Sequence, residues 1–205
     1  MKTTIYVEGG GNTKQLKSEL RRGFQALFTS AGFGGKLPKV VAASSRNEAY
    51  DDFQIALQSK KPDEKVLLLV DSEEPVSNTI KWKHVFARDG WEKPTKATEE
   101  ELHFMVVCME SWFLADTDGL ARFFGPKFEI GKLPKNPNLE AIAKDDLYTA
   151  LEKATKNTTK GTYGKGRHSF KVLLCLDGQK VRQHGKHTRE LFSCLEEAPE
   201  RVEPT

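Results

Sequence analysis

The sequence predicts an α/β fold: a mainly parallel sheet of about four strands flanked by helices, with a C-terminal helical extension. Three observations predict it. Strand-like and helix-like stretches alternate from Thr3 to Val70 with short connections, which is the pattern of βαβ units with right-handed crossovers. Val66–Val70 is a continuous apolar run, the kind buried on both faces of a parallel sheet. The chain has 205 residues, 38% hydrophobic and 30% charged, enough for one ordinary core with an appendage and a heavily solvated surface.

Thr3–Val7 alternates β-branched and aromatic residues and reads as the first strand, broken by Gly9-Gly10-Gly11. Leu16, Leu20, Phe24, Leu27, Phe28 and Ala31 then stripe one face of a helix. Lys39–Ala43 reads as a second strand. Ser45-Arg46-Asn47-Glu48 fits a capping box that opens a helix running to about Ser59. Lys65–Val70 is the third strand. Pro75–Thr98 reads as a loop with one short helix, and Leu102–Met109 as a fourth strand. Ser111–Phe124 is expected to be helical in one or two pieces, and Gly125–Asn138, with three prolines, to be a connector. Leu139–Lys156 is expected as one helix. Asn157–Gly166 is polar and glycine-rich, hence expected to be mobile. Ser169–Leu176 and Thr188–Glu197 close the helical part. The expected organisation is an α/β domain over 1–125, a helical extension packed on it over 126–198, and a frayed acidic tail over 199–205.

No run approaches the roughly 18 apolar residues of a membrane helix, and the N-terminus lacks the apolar core of a secretory signal. Cys108, Cys175 and Cys194 are widely spaced without a Cys-x-x-Cys, which disfavours a disulfide framework or cysteine zinc site and points to a reducing cytoplasm. Net charge is only +3, but Lys156–Arg189 holds nine Lys or Arg against Asp177 alone. Such a segment suits a polyanion, nucleic acid above all, as well as a solvated surface.

In parallel α/β sheets, ligands bind beyond the carboxyl ends of the strands. Glu8 follows the first strand here, Asp71-Ser72-Glu73-Glu74 the third, and Glu110 the fourth, with Asp116 one or two turns on; Ser44-Ser45-Arg46 follows the second. An acid at a strand end commonly starts a loop or caps a helix. Glu8 together with Asp71-x-Glu73 on neighbouring strands suggests more: carboxylates gathered on one rim repel one another unless a cation joins them. Hard oxygen ligands of this kind suit Mg2+ or Mn2+, which pair with substrate phosphates. Gly9 and Gly10 would let the backbone approach a ligand.

These residues resemble a known family. Strand–Glu8–Gly9, helix, strand, helix, strand–Asp71-Ser72-Glu73 looks like the Toprim domain, a Rossmann-like fold of topoisomerases, primases and related nucleases, over about residues 3–125. More narrowly, Val7-Glu8-Gly9-Gly10, Ser45-Arg46, Val70-Asp71-Ser72-Glu73 and Met109-Glu110-Ser111-Trp112-Phe113-Leu114-Ala115-Asp116 are similar to domain-of-unknown-function family 4276, regarded as Toprim-related. So are His168-Ser169-Phe170-Lys171-Val172-Leu173-Leu174 and Leu191-Phe192-Ser193-Cys194-Leu195, and this likeness spans about residues 3–197. The resemblance implies Mg2+-dependent phosphodiester chemistry, as in a nuclease, with Glu8, Asp71 and Glu73 catalytic and metal-binding and Glu110 an auxiliary metal ligand. Toprim carries Asp-x-Asp where this chain has Asp71-Ser72-Glu73, which shifts metal geometry by about a methylene. The resemblance also implies nucleic acid as substrate and an AAA-type ATPase as a possible partner in a phage-defence pair. A non-catalytic module binding nucleic acid or such an ATPase is the alternative. Gly9, Gly10, Arg46, Lys165, Arg167, His168 and Lys171 are the candidate phosphate contacts.

Other signals are weaker. Gly9-Gly10-Gly11 lacks the third glycine of a dinucleotide fingerprint, and Gly161-Thr162-Tyr163-Gly164-Lys165-Gly166 fails P-loop spacing with no strand before it. The five histidines show no His-Glu-x-x-His, so zinc catalysis has little support. His103, Trp112 and Phe113 read as structural.

Overall fold

The computed structural model describes residues 2–77 and 80–196. Four strands form one sheet, β1 (Lys2–Val7), β2 (Lys39–Ala42), β3 (Glu64–Asp71) and β4 (Leu102–Met105), all parallel, in the spatial order β2-β1-β3-β4. Registers Val7↔Ala42, Val7↔Leu69 and Asp71↔Met105 bring the carboxyl ends of β1, β3 and β4 level with one another. The fold is α/β with a parallel sheet, as the alternation predicts, and Rossmann-like, as the resemblance implies. Val66–Asp71 is buried at every residue, the signature of a strand covered on both faces.

Helix α1 (Lys14–Phe28) starts where Thr13 accepts the Leu16 amide, and a π-turn over Thr29–Phe33 prolongs it. Helix α2 (Arg46–Ser59) starts at Ser45, whose hydroxyl accepts the Glu48 amide at 3.1 Å; Glu48 in return accepts from the Ser44 amide, one residue earlier than a standard capping box places it. Helix α3 (Lys81–Asp89) is the short helix expected after β3 and ends on Gly90 in the left-handed region. Tyr50 and Phe53 of α2 meet Trp82 of α3, and Tyr50 stacks on Trp91 at 4.5 Å, so these elements form one aromatic layer.

Three expected elements come out differently. β4 ends at Met105, not Met109. Val106–Cys108 stays buried, but its backbone serves the end of β3: the Ser72 amide donates to Met105 O and the Glu73 amide to Val107 O at 2.7 Å. A 3-10 segment over Met109–Asp116 then leads into α4 (Thr117–Phe124), the two pieces allowed for. The single helix expected over 139–156 is a 3-10 turn (Leu139–Ala141), a break at Ile142-Ala143, and α5 (Lys144–Thr155), whose first turn carries Asp145 and Asp146. Acids suit the positive end of a helix. The segment expected to be mobile is anchored instead: Tyr163 and Thr158 are buried, and the Tyr163 amide donates to Thr155 Oγ1 at 2.7 Å.

Helix α6 (Lys165–Leu173) begins four residues earlier than expected. Helices α7 (Gly178–Gln183) and α8 (Lys186–Glu196) follow. α6 crosses α1 at Gly23, where a Cβ would come within 2.8 Å of the Phe170 carbonyl. Phe192 of α8 packs edge-on against Phe28 of α1. One hydrophobic cluster runs from Ile5 to Cys194, so the C-terminal helices share the core of the sheet. The tail expected to fray, 199–205, lies outside the described residues. Among those described, no helix is long and apolar enough to cross a membrane.

Candidate functional site

The chain winds from β1 outward to β2 and back across to β3, so the connections leave β1 and β3 in different directions and a crevice opens between their ends. Glu8 occupies that position on β1. Its Oε1 accepts from Arg46 Nη1 at 3.0 Å and from the backbone amide of Asp71. Arg46 is held on its other side by Asp89, through Nε at 3.0 Å and Nη2 at 2.8 Å, and lies over the Trp91 ring at 4.9 Å. It also donates to the Asp71 carbonyl at 2.6 Å. A planar fork pinned at both ends is a strut between β1, β3 and α3. Burial raises the Glu8 carboxyl above the ordinary value, and Arg46 opposes that rise.

Asp71, the last residue of β3, is almost wholly buried. Oδ1 accepts the Met109 amide at 2.9 Å, which fixes the carboxyl plane. Oδ2 faces two ammoniums, Lys165 at 3.6 Å and Lys144 at 4.0 Å. Burial, with the charge of Glu8 added, pushes the Asp71 carboxyl up to about 8. Glu73 sits at φ 68, an unusual backbone for a residue with a side chain. That turn brings its carboxylate to Lys144, with Arg88 at 3.9 Å. Burial would raise the Glu73 carboxyl, but Lys144 outweighs it and holds it below the ordinary range. Glu8, Gly9, Asp71, Glu73 and Lys165 line one cavity of about 80 Å³, walled by Met105, Met109 and Phe170.

Glu110 lies behind this cavity, fully buried. Oε1 accepts from Tyr163 at 2.9 Å and Ser169 at 3.0 Å, and Oε2 from Tyr148 at 3.1 Å. Burial, then the charge of Glu110, drives both tyrosine hydroxyls far above their usual value, so they remain donors. For Lys165, burial would lower the ammonium, but Glu110 and Asp71 outweigh it and hold it above the ordinary lysine value.

The profile of the family described as Domain of unknown function (DUF4276) matches residues 7–196. The chain belongs to that family. Its span runs from the end of β1 to the end of α8, so it takes in the C-terminal helices along with the sheet. Comparison with curated proteins and with solved structures gives no match.

Of the residues expected at the site, the structure brings Glu8, Gly9, Asp71, Glu73 and Lys165 to one cavity, with Arg46 behind Glu8. The others stand apart. Both oxygens of Glu110 are taken by hydroxyls, so it is no free ligand. The Gly10 amide donates to Ala43 O at 2.8 Å, and a Cβ there would come within 2.9 Å of that carbonyl, so Gly10 serves the contact between strand ends. His168 is buried among Phe123, Phe124 and Tyr163, and its Nδ1 accepts the Gly164 amide; burial lowers its pKa and keeps it neutral, unsuited to a phosphate. Lys171 lies 3.9 Å from Glu19 on α1, and Arg167 is exposed without lining the cavity. Asp116 is not on the rim. It ties α4 to α7, accepting the Asp177 amide at 2.9 Å and Lys180 at 2.8 Å.

Sequence reasoning missed Lys144, Asp89, Trp91, Tyr148, Tyr163 and Ser169. The spacing of four in Lys144/Tyr148 and Lys165/Ser169 was a usable signal once α5 and α6 were correctly bounded. Asp89 and Trp91, in the irregular stretch, carried none.

Among the described residues, no three His, Cys, Asp or Glu are grouped to hold a metal ion. Mg2+ ordinarily needs only one or two carboxylates, with waters completing its shell. Glu8 and Asp71 line one cavity as such a pair, and two ammoniums face Asp71 Oδ2. The set fits in kind.

Proposed function

We propose that this chain is a Mg2+- or Mn2+-dependent, phosphodiester-acting enzyme of the Toprim kind, a nuclease whose substrate is nucleic acid. The observation that carries the reading is the meeting of Glu8 and Asp71, from neighbouring strand ends, on one cavity that Lys165 also enters. Glu8 and Asp71 would hold the ion, with Glu73 beside them. When bound, the ion would offset charge developing on the phosphate and lower the pKa of a coordinated water. The Met109 amide orients Asp71, and Arg46 orients Glu8, so neither carboxyl has to be ordered at the moment of reaction. Lys165 supplies positive charge on the side open to solvent. An AAA-type ATPase partner, as in a phage-defence pair, rests on the family resemblance alone.

The test is Asp71→Asn, which keeps an acceptor for Met109 and removes the charge. Mg2+-dependent cleavage of single- or double-stranded DNA or RNA should vanish while circular dichroism stays unchanged. Cleavage at the wild-type rate would remove Asp71 from the mechanism. A second reading, a non-catalytic module that binds nucleic acid or an ATPase, is favoured by one observation: every carboxylate on the cavity already has a cationic partner. Wild-type protein that binds oligonucleotide with no cleavage under any divalent ion would select it.

A further inference from the structure

We infer that Lys144 and Lys165 are the phosphate-holding pair of this site, parked on its carboxylates until a divalent cation takes their place. The inference rests on the function proposed above and adds to it a ligand pair, one member of which the sequence did not suggest.

The geometry begins at Glu110. That buried carboxylate grips Tyr148 on α5 and Ser169 on α6. Each lies four residues after a lysine, Lys144 and Lys165, so on each helix the gripped residue and the lysine share a face one turn apart. Ser169 Oγ also lies 2.6 Å from the Lys165 carbonyl, so its single proton is shared between that oxygen and Glu110 at the first turn of α6. One buried anion thus aims two helices, and both present an ammonium to the same acid. Lys165 lies 3.6 Å and Lys144 4.0 Å from Asp71 Oδ2, and Lys144 also pairs with Glu73.

These ammoniums offset the charge of Glu73, and of Asp71 when it is ionised, and a divalent ion would do the same more strongly. The two compete for one oxygen: both ammoniums already face Asp71 Oδ2, and like charges at about 4 Å repel strongly in a partly buried site. Lys165 has its exit prepared, since its side chain is 52% exposed and hinges at the first turn of its helix. Lys144, at 23%, can move less far. An ammonium displaced from Asp71 stays beside the cavity with three donors to fill, and a substrate phosphate is the group that fills them. Cation and phosphate are then coupled: each makes room or charge for the other, by the same factor in both directions.

The experiment measures Mn2+ alone by calorimetry, and separately the anisotropy of a fluorescent single-stranded oligodeoxynucleotide with Mg2+ or with chelator. It compares wild type, the Lys144→Gln/Lys165→Gln double variant, and the corresponding arginine double variant. Losing the competing ammoniums should tighten Mn2+ binding at least about tenfold. It should also weaken oligonucleotide binding in Mg2+ at least about tenfold, with the arginine variant restoring most of that loss. In wild type, Mg2+ should strengthen oligonucleotide binding. Mn2+ binding of equal strength in wild type and glutamine variant would overturn the displacement and leave the proposed function standing. Oligonucleotide binding unaffected by the glutamine variant would overturn the phosphate role. Absence of Mn2+ binding in every form would overturn the inference and the cation-dependent function together.

Discussion

His103 and Asp71 show how burial sets the pH range in which this fold is stable. His103 is buried in β4, and its Nε2 finds no hydrogen-bond partner among the described residues. Burial, helped by the positive charge of Lys81, lowers its pKa to about 3 from an ordinary 6.5. A group whose folded pKa is depressed contributes stability in full above its unfolded value, and loses it as pH falls towards the folded value. Between pH 6.5 and 5 this residue alone should cost about 2 kcal/mol. Urea denaturation at pH 7 and pH 5 checks it: the drop should shrink by about that amount in His103→Leu. Asp71 works in the opposite direction. Its folded value is raised to about 8, so the cost of its charge appears as pH rises from 3.8 and is complete near 8. Asp71→Asn should therefore stabilise the cation-free protein at pH 9 by about 1–3 kcal/mol while abolishing cleavage. Thermal melting at pH 9 decides. An unchanged or lower Tm would mean that the wild-type carboxylate is better compensated than its surroundings suggest.

At the scale of elements, two glycines fix how the C-terminal helices seat. Gly23 lies inside α1, where alanine would ordinarily gain about 0.5–1 kcal/mol. Here a methyl would press on the Phe170 carbonyl and on Leu173 Cβ at 3.1 Å. Gly23→Ala should lower stability by about 1–3 kcal/mol instead, measured by denaturant midpoint. Since Phe170 walls the cavity and Lys165 opens the same helix, the variant should weaken oligonucleotide binding too. Gly178, at the start of α7, is tighter still: a methyl there would lie 2.6 Å from Ala31 N, with the Leu27 carbonyl also in the way. The strands and the first two helices were legible because their hydrophobic period is strong. In the C-terminal half most helices were legible too, but their bounds were not, and α7 was missed. Leu102–Met109, His103 apart, is apolar because it is buried, but only Leu102–Met105 pairs with β3. Apolar character reports burial and cannot separate a paired strand from a packed turn. Ala141-Ile142-Ala143 likewise continues a helical stripe across a break that only Asp145 and Asp146 betray.

Across the whole molecule, the positive charge of residues 156–189 does not act as one patch. Lys180 is engaged by Asp116 and Asp118, and Arg182 by Glu196. Lys165, Arg167 and Lys171 lie along one helix, α6, beside α1, with Lys165 near Asp71 and Lys171 near Glu19. Reversing these three charges should flatten the log–log dependence of nucleic-acid affinity on salt by about 2–3 units, at about 0.9 per duplex phosphate contact. It should weaken all sequences alike, because phosphates carry no base information. Fluorescence titrations from low to moderate salt measure it, and an unchanged slope would make the segment solvated surface. The acidic part of the site was readable from strand ends because topology sends them to one place. Its cationic part was not, since Lys144 and Lys165 arrive from helices distant in sequence, and only the fold shows that they meet.

The crevice between β1 and β3 follows from the order in which the strands are laid down, before any side chain is considered. Location and chemistry are therefore separable properties of this scaffold. On the proposed function, positions 8, 71 and 73 would supply the reactive groups, while Arg46, the Met109 amide and the Glu110 hub supply the mounting, and the two sets share no residue. The mounting leans on what it carries only through acceptor oxygens: Arg46 and the Asp71 amide need one at position 8, and the Met109 amide one at position 71. Exchanging the three carboxylates for amides of similar size, which keep an acceptor, should leave the notch in place and change what it accepts. Exchanging the mounting should distort the notch whatever groups line it.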